Sequence, residues 1–163
     1  LAILSGTDVV YIDKVESLRS IRMYSQIGKR IPAYCSALGK SLLVDVEPQE
    51  LERLAAGIEY RSLAKGTRLG AASFVEAVRL ARERGWSLDD EENEEGIRCV
   101  GAPVRDYTGR VIAAISVSGD RKVIAPERDA ETALLVMETA AAISARMGYT
   151  TLAGSAPGTG SRK

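Results

Sequence analysis

The chain contains no histidine and only two cysteines, Cys35 and Cys99. The lack of histidine excludes Cys-His zinc sites and Ser-His or Cys-His catalysis, because each needs imidazole as ligand or base. Two thiols do not make a disulfide framework, which fits a reducing cytoplasm. There is no basic excess either, since 22 Lys and Arg balance 22 Asp and Glu. Phosphate neutralisation supplies most of the affinity for nucleic acid, so this segment alone is not expected to grip DNA. Apolar runs stay far short of the ~20 residues that span a bilayer, and no signal peptide is visible. With 163 residues, 45% of them apolar, the expectation is one domain with a real core. Leu1 rather than Met stands first and leads straight into strand-like sequence. That points to a piece of a longer protein.

Ala2 to Leu4 and Val9 to Val15 are β-rich, and Ser5-Gly6-Thr7-Asp8 between them predicts a hairpin turn. Ile21 to Ile27 reads as a third strand, stopped by Gly28. Ser36 is an N-cap for a short helix over Ala37 to Val44, and Pro48 opens another to about Ala56. Phe74, Val78 and Ala81 repeat at helical spacing within Ala71 to Arg84, which Gly85 ends. Trp86 to Leu88 is strand-like. Ile97 to Val104 and Val111 to Val117 read as a hairpin around Tyr107-Thr108-Gly109. Pro126 opens the longest helix, to about Met147. Leu134, Met137, Ala141 and Ala145 form one apolar stripe on it, and Val136, Ala140, Ile143 and Met147 a second. One stripe is expected to face the sheet, and the second to meet another copy of the chain. From Thr150 to Lys163 the sequence is rich in Gly, Ser and Thr, the composition of a flexible tail. This order predicts an α+β domain with a largely antiparallel sheet.

Three constellations carry chemistry. Gly39-Lys40-Ser41 invites a phosphate-loop reading, but that motif needs glycine where Tyr34 stands, so it is rejected. What remains is either a plain capped helix start or an anion site, because the first N–H groups of a helix are unpaired. In the predicted hairpin, Val111, Ala113, Ile115 and Val117 share an apolar face with Val100, Ala102 and Val104. Cys99 then shares the other face with Ser116 and Ser118. That face is either an ordinary sheet surface or the floor of a polar pocket. The acidic run Asp89, Asp90, Glu91, Glu92, Glu94 and Glu95 is expected as a solvated loop, with room for one member to face a pocket and accept from ligand hydroxyls. Cys99 has no histidine to activate it, and Arg98 should point to the opposite face. A ligand-touching thiol is therefore favoured over a nucleophile.

Gly85-Trp86, Asp89-Asp90-Glu91-Glu92, Gly96-Ile97-Arg98-Cys99, Ala102-Pro103-Val104 and Ile115-Ser116-Val117-Ser118-Gly119 occur in that order. Together with Ser36 to Lys40, from about Ala2 to Tyr149, they resemble the effector-binding domain of IclR-type transcriptional regulators. The resemblance implies a GAF-like fold, a curved antiparallel sheet with helices on both sides. It implies no enzyme, no cofactor and no metal, and an effector that is a small organic acid. The family's pocket maps onto the N–H groups of Ala37 and Leu38 and onto Asp89, Cys99, Ser116 and Ser118. This sequence departs from well-known members in having Ala37-Leu38 for Gly-Ala and Asp120 for Pro. Arg22-Met23-Tyr24-Ser25 and Glu94 to Cys99 are similar to the branch that regulates use of 2-keto-3-deoxygluconate and related sugar acids. By this reading, residues 1–149 are the sensing domain and 150–163 a tail. Operator DNA is then held by a winged helix-turn-helix preceding Leu1, in a cytoplasmic homodimer or homotetramer, often a repressor. The alternatives are a GAF-like thiol enzyme using Cys99, or the sensor domain of a signalling protein.

Overall fold

The structure is a computed structural model and describes residues 1–16 and 25–150. Strands β1 (Ala2–Ser5) and β2 (Asp8–Tyr11) form the expected first hairpin. Strand β3 (Arg30–Pro32) follows. Helices α1 (Ala37–Leu42), α2 (Pro48–Ala56) and α3 (Ala71–Arg84) come next. Strands β4 (Ser87–Asp90), β5 (Ile97–Arg105) and β6 (Val111–Asp120) lead into the last helix, α4 (Asp129–Arg146). All strand pairs are antiparallel, in the order β3-β2-β1-β6-β5-β4.

The sheet has a core on each face, as expected of a GAF-like sheet with helices on both sides. On one face, Ala2, Val9, Ile31 and Ala114 pack with Leu38 and Leu42 of α1, Leu51 of α2, and Phe74 and Val78 of α3. On the other, Val100, Ala102, Val104 and Ala113 pack with Ala133, Val136 and Ala140 of α4. Two glycines make this packing possible. Gly85 ends α3 in the left-handed region, φ 83°, where its N–H reaches Ala81 O. Gly101 lies under the start of α1, where a Cβ would sit 3.1 Å from the Ala37 carbonyl.

Several expectations are corrected. Of the third strand expected over Ile21 to Ile27, residues 21–24 lie outside the described residues. The described part, 25–27, is not strand, and the pairing strand is Arg30–Pro32. Its register follows Ile31, which puts its side chain into the core opposite Val9. The family-like stretch Arg22 to Tyr24 and the tail beyond residue 150 also lie outside the described residues.

Val111 leaves the face of Ala113. A bulge skips Ile112, so that Val104 pairs with Ala113 while Arg105 pairs with Val111. One extra residue reverses the alternation, and Val111 packs with the opposite core.

The stretch from Asp89 is not simply a solvated loop. Asp89 and Asp90 end β4, and Asp89 and Glu92 are buried. On α4 a single 3-10 turn, Pro126–Arg128, precedes the helix. The second apolar stripe faces the sheet through Val136 and Ala140, so these side chains cannot meet another copy, while Leu134 and Leu135 stay exposed.

Candidate ligand pocket

The start of α1 and the facing sheet surface enclose a pocket of about 460 Å³, counting its open mouth. All six residues singled out from the sequence line it: Ala37 and Leu38 from α1, Asp89 from β4, Cys99 from β5, and Ser116 and Ser118 from β6. Strand register explains the gathering. Asp89 pairs with Cys99, and Cys99 with Ser118, which makes one row across three strands. Ser87, Gly101 and Ser116 form the next row on the same face. Gly101 leaves room there for α1, whose first turn closes the row from above.

At the α1 end, the Ser36 hydroxyl accepts from Gly39 N at 2.9 Å, so the predicted N-cap forms. The N–H groups of Ala37 and Leu38, both in buried residues, make no hydrogen bond among the described residues. Unpaired buried N–H groups at a helix start carry partial positive charge and lack an acceptor. The turn is anchored below: Ser87 Oγ donates to Ala37 O at 2.6 Å and sits 2.6 Å from Ser41 Oγ.

The opposite wall holds a carboxylate. Asp89 is 3% exposed, and its Oδ1 accepts from Glu92 N at 2.8 Å and Asn93 N at 3.4 Å. Burial pushes its carboxyl up to about 6, opposed by the positive charge of Lys40 and by the N–H of Glu92. Burial, and then the neighbouring Asp89, push the Cys99 thiol far above its ordinary value. The Cys35 thiol, behind the pocket, is pushed up to about 12, mainly by burial. Burial likewise raises Tyr11.

Part of the wall is not among the residues singled out from the sequence. Tyr11, Ile31 and Ile97 come from strands, and Ser25, Lys29, Asn93 and Glu94 from connections. Ile97 and Glu94 carried a signal, one by sharing the alternation of Cys99 and the other by lying in the acidic run. Tyr11 and Lys29 carried none, because long-range pairing brings them here: Tyr11 stands opposite Ala2, itself opposite Ala114 of β6, and Tyr11 N donates to Lys29 O. Among the described residues, no three or more Cys, Asp or Glu side chains gather as a metal site.

The family model described as "Bacterial transcriptional regulator IclR C-terminal" matches residues 1–145. The chain is similar to the HTH-type transcriptional regulator KdgR of Escherichia coli, 38% identical over 149 residues, covering 91% of this chain and 57% of that protein. It is also similar to the regulator XynR of the same organism, 41% identical over 118 residues, covering 72% of this chain and 47% of that protein. Among solved structures, the repressor BlcR of Agobacterium tumefaciens superposes with a TM-score of 0.85 at 35% identity, covering 92% of this chain and 59% of that one. The chain spans about half the length of the curated relatives it matches. With the fold, the order of motifs and the family model in agreement, this chain belongs to the C-terminal family of bacterial IclR transcriptional regulators.

Proposed function

We propose that this chain is the effector-sensing part of a transcription regulator and that its pocket takes a small 2-keto or sugar acid. One observation carries the reading: the two walls of the pocket call for different ligand groups. The unpaired N–H groups of Ala37 and Leu38 suit a carboxylate. Asp89, ionised above about pH 6, is acceptor-only and suits a ligand hydroxyl. Ser116 and Ser118 donate to a keto oxygen or exchange hydrogen bonds with hydroxyls, and Cys99 lines the floor as a small, weakly polar group.

In the whole regulator, residues 1–149 form the sensing unit. A winged helix-turn-helix preceding residue 1 holds operator DNA, and the protein works in the cytoplasm as a homodimer or homotetramer, because operators are read as paired half-sites. Light scattering on the full-length protein tests the assembly, and a strict monomer refutes it. A thiol enzyme on Cys99 is not favoured, since a thiol raised by burial and a facing carboxylate is a poor nucleophile at neutral pH.

A thermal-shift panel of D-gluconate, pyruvate and 4-hydroxybenzoate tests the ligand class. A bound acid at a hundredfold its Kd adds about 2.7 kcal/mol to stability. Stabilisation by the hydroxylated aliphatic acid is expected, and stabilisation by the aromatic acid alone refutes the sugar-acid assignment.

A further inference from the structure

Lys40 sits on α1, one turn beyond Ala37, and is 2% exposed. Its Nζ donates to Leu88 O at 2.7 Å and to Glu92 Oε1 at 2.6 Å. These two acceptors bracket Asp89 in the chain. The Glu92 N–H in turn donates to Asp89 Oδ1. The lysine thereby closes residues 88–92 into a loop around the pocket carboxylate. That loop does not hold its shape unaided: Glu91 has φ 58°, the single non-glycine with positive φ among the described residues, a conformation that surrounding structure must enforce.

Stability does not account for this ion pair. Both side chains are almost fully buried, and Glu92 Oε2 has no hydrogen-bond partner among the described residues. The next nearest cation, Arg68, lies 3.8 Å from the other oxygen, Oε1. A buried pair with an orphaned oxygen recovers little of its desolvation penalty. A group that is costly to bury and lies behind a pocket needs another reason to be there.

We infer that Lys40 and Glu92 are positioning residues for the effector, fixing the Asp89 carboxylate at a set separation from the N–H groups of Ala37 and Leu38. One short helix carries both the lysine and those N–H groups, so the separation of the two ligand-holding walls is built into α1. The inference rests on the pocket reading given under the proposed function. Lys40 also acts through its charge, which opposes the effect of burial on Asp89. The other ionisable groups around that carboxyl are Tyr11 from β2, Cys35, Cys99 from β5, and Lys29 and Glu94 in the pocket wall.

The test uses the double variant Lys40→Met/Glu92→Leu, because Lys40→Met alone strands a buried carboxylate and is apt to unfold the domain. The Asp89 carboxyl is followed by carbon-13 NMR titration, and D-gluconate binding by calorimetry, with Asp89→Asn as control. In a folded double variant the Asp89 midpoint is expected to rise, because the lost Lys40 charge holds it down by more than the lost Glu92 charge pushes it up. Affinity for D-gluconate is expected to fall about tenfold or more, equivalent to 1.4 kcal/mol. An unchanged midpoint together with unchanged affinity overturns the inference. If Asp89→Asn weakens D-gluconate binding and the double variant does not, the pocket reading stands and this inference alone falls. If neither variant moves it, both fall. The titration needs no ligand, so an unmoved midpoint counts against the inference whether or not D-gluconate binds.

Discussion

Asp89 on β4 stands directly opposite Cys99 on β5, a carboxyl facing a thiol across one pair of strands. Neither group has water enough to ionise at its ordinary value, and the carboxyl titrates near 6 instead of 3.8. Between those values the folded chain keeps a proton that the unfolded chain has released. The stability this contributes is complete below about pH 4 and is lost as the pH rises through about 6. Asp89→Asn stays neutral throughout and keeps an oxygen for the N–H groups of Glu92 and Asn93. Urea denaturation is expected to find it more stable than the parent above pH 6, by up to about 3 kcal/mol, with the gain shrinking to nothing near pH 4. A parent chain that is the more stable of the two at pH 7 contradicts this.

The same substitution is expected to harm binding. A hydrogen bond from a ligand hydroxyl to a carboxylate is worth roughly 1.5–3 kcal/mol, and one to a neutral hydroxyl roughly 0.5–1.5. Asp89→Asn exchanges the first for a neutral bond and should therefore weaken D-gluconate binding by the difference, about five- to tenfold, and Ser116→Ala about two- to tenfold. Isothermal calorimetry on both variants decides. If both bind as the parent does, the ligand contacts lie elsewhere.

Much of this site was legible because hairpin register converts sequence alternation into a face. That Cys99, Ser116 and Ser118 share one face follows from the turn at 107–109, and the regular part of the register puts them on it. The bulge at Ile112 was not legible. Nothing in an apolar strand marks the residue that will be skipped, so strict alternation puts Val111 on the wrong face. The bounds of α2 and α3 are legible to within a residue because Pro48 opens one and Gly85 ends the other. The acidic run misled because exposure is the ordinary fate of such charges. Glu92 is buried only because Lys40, 52 residues earlier, is buried with it. Such a pairing leaves no local trace in either segment. Tyr11 and Lys29 leave no local trace for the same reason, since Tyr11 reaches the pocket through its pairing with β1 and Lys29 through its backbone bond to Tyr11.

Gly101 is the point at which the sheet admits α1. A Cβ there would lie 3.0 Å from Ser87 Oγ and 3.1 Å from the Ala37 carbonyl carbon and oxygen. Backbone cannot swing aside as a side-chain tip does, so the start of α1 must lift. Gly101→Ala is expected to lower stability by about 1–3 kcal/mol, the usual range for overpacking. It should also weaken acid binding, because the N–H groups of Ala37 and Leu38 move with the helix. Chemical denaturation with parallel D-gluconate titration checks both. A stable variant with undiminished binding would show that the helix start has more slack than these distances allow.

Arg98 tests the other face of the same strand. It is 1% exposed and points away from the pocket. Its Nε donates to Asp90 Oδ1 at 2.7 Å, and its fork donates to both oxygens of Asp129 at 2.8 and 3.0 Å and to Ile124 O at 2.9 Å. Asp129 opens α4, where a negative charge also suits the helix dipole. One guanidinium thus ties β4, β5 and the start of α4 together. Arg98→Met would leave two carboxylates and a carbonyl without their partner. Breaking a buried pair costs about 3–5 kcal/mol, and the lower end applies here because both carboxylates keep some contact with water. Arg98→Lys keeps the charge but not the fork, and should recover only part of that loss. Because the sheet separates Arg98 from the pocket, the folded fraction of either variant should bind D-gluconate within about twofold of the parent, well under the 1.4 kcal/mol of a tenfold change. Urea unfolding of both variants, with binding measured under strongly native conditions, separates the two roles. An Arg98→Met chain as stable as the parent would mean that the guanidinium adds nothing to the apolar contacts of α4 and to the bond from Arg105 N to Ser144 Oγ.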